Sequence, residues 1–78
     1  MIIVSQDENA MISFNNICSI TIVGMWDNNP EKIIYAINGN DIRFYLGMYK
    51  NEKTAKEILR KLLNCYQKKD TIYYMPKE

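Results

Sequence analysis

The strongest hydrophobic periodicity lies in the C-terminal half. Ala55, Ile58, Leu59, Leu62, Leu63 and Tyr66 recur at the i, i+3, i+4, i+7 spacing of one helix face, with Lys53, Lys56, Glu57, Arg60, Lys61, Asn64 and Lys68 between them. The pattern predicts a helix beginning after Lys50. Asn51 serves as N-cap, Glu52 suits the positive end, and Lys68 and Lys69 suit the negative end before Asp70. Glu52–Lys56 and Glu57–Lys61 are i, i+4 pairs, each contributing only about 0.2–0.5 kcal/mol.

The rest of the chain reads as strands. Ile2-Ile3-Val4-Ser5 is a short β-branched run closed by the polar turn Asp7-Glu8-Asn9. Met11 to Asn15 alternates, Asn15-Asn16 turns, and a longer strand runs from Ile17 to about Met25 with Cys18, Ile20 and Ile22 on one face. Trp26-Asp27-Asn28-Asn29-Pro30-Glu31 is a loop. Lys32 to Ile37 and Ile42 to Tyr49 flank Asn38-Gly39, a hairpin signal because both central residues of a type I′ turn need φ > 0. That turn pairs Tyr35 with Ile42 and Ile33 with Phe44. A short strand, Thr71 to Met75, precedes Pro76.

The expected architecture is a single α+β domain over residues 1–78: an antiparallel meander of about five strands, one C-terminal-half helix packed on one face, and a short final strand. Ile12, Phe14, Ile20, Ile22, Ile33, Tyr35, Ile37, Phe44 and Leu46 would receive the helix. Ile2, Val4, Val23, Met25, Ile34, Tyr45 and Tyr49 would line the other face, which is too apolar for a solvated one. A single helix leaves that face to the C-terminal strand or to a second copy, and the expectation is a homo-oligomer.

Composition narrows the chemistry. The chain has 78 residues, no His, two Cys and a net charge of +1. Such a balance argues against an extended nucleic-acid footprint. No apolar run approaches a membrane span, and no basic leader opens the chain, so a cytoplasmic protein is expected, with Cys18 and Cys65 reduced and buried. Lacking His, the chain lacks the usual general base and the commonest metal ligand. The carboxylates Asp7, Glu8, Asp27, Glu31 and Asp41 fall in turns. No catalytic residue, metal site or cofactor is expected. Binding has better candidates: Arg43 as an anion clamp, Tyr45 and Tyr49 on the same strand face, and Trp26 as a stacking platform. Each has a structural alternative, Arg43 lying over Tyr rings and Trp26 anchoring its loop.

Met1-Ile2-Ile3-Val4-Ser5-Gln6-Asp7 with Ile12-Ser13-Phe14-Asn15-Asn16-Ile17, and Leu46-Gly47-Met48-Tyr49-Lys50 running through Ala55-Lys56-Glu57-Ile58-Leu59 to Tyr74-Met75-Pro76-Lys77-Glu78, resemble small phage and prophage proteins of low-GC Gram-positive bacteria. The resemblance implies an anti-defence role, similar to proteins that sequester nucleotide-derived immune signals as anti-Thoeris and anti-CBASS proteins do. The expected function is capture of such a small anionic nucleotide. The alternative is a protein–protein interaction module that inhibits a host defence protein through the apolar sheet face.

Overall fold

The computed structural model describes residues 1–26 and 28–78. Its elements run β1 (Ile2–Val4), β2 (Met11–Ser13), a 3₁₀ turn (Phe14–Asn16), β3 (Ile17–Gly24), β4 (Lys32–Asn38), β5 (Arg43–Tyr49), α1 (Glu52–Gln67) and β6 (Ile72–Tyr74). The expected α+β layout is present. The strands divide between two three-stranded sheets, ordered β2-β1-β6 and β3-β4-β5. The second sheet is the antiparallel meander; in the first, β6 returns parallel to β1.

The helix ends are set locally. The Asn51 side chain accepts the Thr54 N–H at 2.8 Å, the expected N-cap. At the other end Lys69 adopts φ 62°, its N–H donates to Tyr66 O, and the Asp70 N–H donates to Cys65 O. This is a Schellman closure with lysine where glycine is usual. Ala55, Ile58 and Leu62 are buried, and α1 lies across β3, β4 and β5. The stripe is narrower than the periodicity predicts. Leu63 and Tyr66 stay about half exposed, although the Tyr66 ring stacks on Phe14 at 4.3 Å.

Two features of the β4–β5 hairpin decide which residues face the helix. The loop is not a two-residue Asn-Gly turn. Asn38 N–H donates to Ile42 O, Asp41 N–H donates to Asn38 O, and Asp41 takes φ 62°; the Asn38 side chain accepts the Asn40 and Ile42 N–H groups. This is a three-residue loop, a type I turn followed by a left-handed residue. Register moves accordingly, so Phe44 faces Ala36 instead of Ile33. A shift by an odd number of residues exchanges the two faces of a strand. Ile34 and Ala36 are therefore fully buried in the core, whereas Ile33, Tyr35 and Ile37, expected beneath the helix, lie on the opposite face.

The second feature is a bulge. Ile34 pairs with Gly47 but Tyr35 pairs with Tyr45, leaving Leu46 as the extra residue. Alternation along β5 is reset at that point. Phe44 packs against the core, Leu46 is fully buried, and beyond it Tyr49 is fully buried too. The first sheet contributes Ile3, Ile12 and Tyr73 to the same core, and its strand β1 runs into a clasp on β5. There the Gln6 N–H donates to Leu46 O at 2.7 Å, at the bulge residue itself. The Gln6 side chain accepts the Met48 N–H at 2.9 Å and donates to Met48 O and Pro76 O. One glutamine thereby joins both sheets and the C-terminal segment.

Candidate interaction face

With the register established, the face of the β3-β4-β5 sheet turned away from α1 can be read row by row. Val23, Ile33 and Met48 form one row, Thr21, Tyr35 and Tyr45 the next, and Ser19, Ile37 and Arg43 the third. Ile20, Ile22 and Phe44, on the other face of the same strands, pack against the core, which fixes the direction of this one. Val23, Ile33, Tyr35, Ile37 and Met48 are partly exposed, Ser19, Arg43 and Tyr45 exposed. Of the expected second face, Val23 and Tyr45 are present here. Ile34 and Tyr49 belong to the core, and their places are taken by Ile33, Tyr35, Ile37 and Met48.

Arg43 is the single charged side chain of these three rows. Its guanidinium lies 5.4 Å from the centre of the Tyr35 ring, the arrangement in which a cation meets the negative face of an aromatic. Tyr45 is adjacent, with its hydroxyl donating to Gln6 Oε1 at 3.3 Å. Burial, the nearby Asp7 charge and Tyr35 raise the Tyr45 phenol above its ordinary range, so it remains a neutral donor at physiological pH.

The four candidate residues are not brought together. Arg43 and Tyr45 share the face. Trp26 is exposed at 65 %, beyond the opposite end of the sheet. Five residue steps of strand separate the Ser19 row, which contains Arg43, from Gly24, a span of about 17 Å. Tyr49 is removed from the site altogether. Its ring is fully buried and its hydroxyl donates to Pro76 O at 2.9 Å. Burial holds its phenol far above the ordinary value, with Tyr73, Tyr45 and Glu78 adding to the effect. The Leu46 bulge is the cause, since strict alternation had placed Tyr49 beside Arg43 and Tyr45. Asp27 lies outside the described residues.

The thiols do not form a reactive pair. Both are free; Cys18 is exposed, contrary to the expected burial, and Cys65 is partly buried. Burial and the neighbouring Asp70 push the Cys65 thiol up, away from the reactive thiolate. Among the described residues no three His, Cys, Asp or Glu side chains converge as a metal site would require. Asp7 accepts the Ser5 hydroxyl at 2.6 Å and the Asn9 N–H, and these bonds hold its carboxyl below the usual range. Its role is to close the β1–β2 turn.

Among the described residues, clefts also lie elsewhere, two of them larger than a third along the exposed side of α1 at Lys53, Lys56 and Arg60. One, of about 420 Å³, runs between β2 and the β4–β5 loop and includes Met11, Asn16, Asn38 and Phe44. The other, of about 540 Å³, lies at the C-terminal end of α1 beside Tyr66, Lys69 and Asp70. Among the described residues, no helix is long and apolar enough to cross a membrane. The chain matches no family model, no curated protein and no solved structure.

Proposed function

We propose that this protein is a non-catalytic binding module that takes a protein partner on the outer face of β3-β4-β5. The observation that carries this reading is the composition of that face: Val23, Ile33, Ile37, Met48, Tyr35 and Tyr45 in adjoining rows, with Arg43 as the only charge. Tyrosine, methionine and arginine are the side chains enriched where proteins meet, because they bury large area and keep one polar end for orientation. The partner is an apolar surface carrying a carboxylate opposite Arg43. Such a module suits the anti-defence role the resemblance implies, with a host defence protein as the partner.

Nucleotide capture has less support. It draws on Arg43 and Tyr45 alone, on an open sheet surface, with Trp26 out of reach and Tyr49 in the core. The two readings separate by experiment. A photoreactive phenylalanine at position 45, introduced in cells that naturally carry the protein, is expected to give one covalent protein adduct. The same group at Arg60 on the exposed side of α1 gives none, and Val23→Lys abolishes the adduct without unfolding the domain. Absence of any adduct at position 45, together with heat on titration with cyclic nucleotides or ADP-ribose, would replace this proposal with nucleotide capture.

A further inference from the structure

Strand edges expose unpaired N–H and C=O groups, and natural sheets shield them by shortness, charge, proline or a covering segment. Most edges of this protein are shielded in these ways. β2 and β6 are three residues long, and the far edge of β5 is engaged by Gln6 at the bulge. β3 is different. It spans eight residues, Ile17-Cys18-Ser19-Ile20-Thr21-Ile22-Val23-Gly24, without a charge or a proline. It is hydrogen-bonded to β4 only. Among the described residues, no backbone or side-chain group outside β4 and the preceding 3₁₀ turn bonds to it. Its one irregularity is a bulge at Cys18, which leaves Ser19 to Gly24 in continuous register.

We infer that the β3 edge pairs antiparallel with β3 of a second copy, joining two three-stranded sheets into one of six strands across a two-fold axis. A second copy is the occupant because this edge is neutral throughout. Self-pairing brings no like charges together, whereas a charged partner strand would find no complement. The faces also agree. Antiparallel neighbours directly opposite each other share a sheet face, so the axis must pass through a residue and not between two. With Thr21 opposite Thr21 of the partner subunit, Ile20 meets the partner's Ile22 on the core side and Ser19 meets the partner's Val23 on the outer side. With the axis at Ile20, Ser19 meets the partner's Thr21. Either register extends the outer face across both copies. A stable interface buries ~1,200–2,000 Å² and the seam is a single pair of strands, so assembly is expected to depend on concentration.

This inference stands on the strand edge and not on the outer face. An intact dimer without a cross-link at position 45 would therefore count against the proposed function alone. The test is solution mass by light scattering, over a concentration series. The wild-type chain is expected to approach twice 9.2 kDa at high micromolar concentration. Ser19→Lys with Thr21→Lys places like charges opposite each other in both registers and should leave a folded monomer. Tyr45→Lys, on β5, should leave the dimer unchanged. Should the double variant fail to fold, hydrogen exchange on the wild-type chain serves instead: the β3 amides not bonded to β4 should slow as concentration rises. A wild-type monomer throughout, a dimer lost with Tyr45→Lys, or β3 amides indifferent to concentration would overturn the inference.

Discussion

Gly47→Ala tests the account of the β5 bulge most directly. Position 47 has ordinary backbone angles, so an alanine meets no conformational objection there. The obstacle is the Tyr49 ring. A Cβ at position 47 would stand 2.8 Å from Tyr49 Oη, 2.9 Å from Cε2 and 3.0 Å from Cζ. Ordinary contact needs roughly 3.5–4.0 Å between carbons, so the ring has to withdraw by several tenths of an ångström or more. It has nowhere to withdraw, being fully buried with its hydroxyl bonded to Pro76 O. Forcing a methyl into such a site costs about 1–3 kcal/mol. Loss of the hydroxyl bond adds about 1 kcal/mol, and the reduced freedom of the unfolded chain returns about 0.4–1 kcal/mol. The net expectation is about 2 kcal/mol of destabilisation, lowering Tm by roughly 8–16 °C in a domain of this size. Thermal and urea unfolding followed by circular dichroism measure it. In a Tyr49→Leu background the added methyl should cost little, so the two changes should be strongly non-additive. A Gly47→Ala variant as stable as the parent, or a strictly additive pair, would refute the close packing of ring on glycine.

Three further outcomes are expected. Gln6→Ala removes the acceptor of the Met48 N–H and the donor to Met48 O and Pro76 O; it should destabilise by about 2–3 kcal/mol and speed exchange of the Met48 amide. Lys69→Gly relieves the left-handed residue of the α1 closure and should stabilise by about 1 kcal/mol, read as a higher urea midpoint with unchanged slope. Asp7 has its folded pKa depressed by the Ser5 hydroxyl and the Asn9 N–H. Its contribution is therefore present above the unfolded carboxylate value near ~4 and is lost as pH falls through the lower folded value. Asp7→Asn should flatten that part of the acid unfolding curve, and an unchanged curve would remove Asp7 from the account.

Much of this fold was legible residue by residue. The 3.6 period, Asn51 and the lysines around 68–69 located α1, because a helix is held by bonds between neighbours and its caps are local. The β-branched runs and the polar clusters between them located the strands, because side-chain preference for extended backbone and turn chemistry are also local, although the ladders themselves are not. At the candidate site, Arg43 and Tyr45 were legible because residues two apart on one strand, with no bulge between them, share a face whatever the strand pairs with. Gln6 gave no such signal. It reads as the start of a polar turn, and its partners at positions 48 and 76 are brought near only when the segment after β1 closes on β5.

Which face each strand residue occupies was a tertiary decision. A period of two makes a face depend on parity, and parity is inverted by any odd change in register or by a single inserted residue. Two such events occur within one hairpin: the three-residue loop at 39–41, in place of an Asn-Gly turn, and the bulge at Leu46. The first turned Ile33, Tyr35 and Ile37 outward and Ile34 and Ala36 inward. The second carried Tyr49 from the binding face into the core. The sequence by itself determined the elements, their ends and the presence of more apolar surface than one helix covers. Only the paired strands, which compare residues distant in the chain, determined which side chains make up that surface.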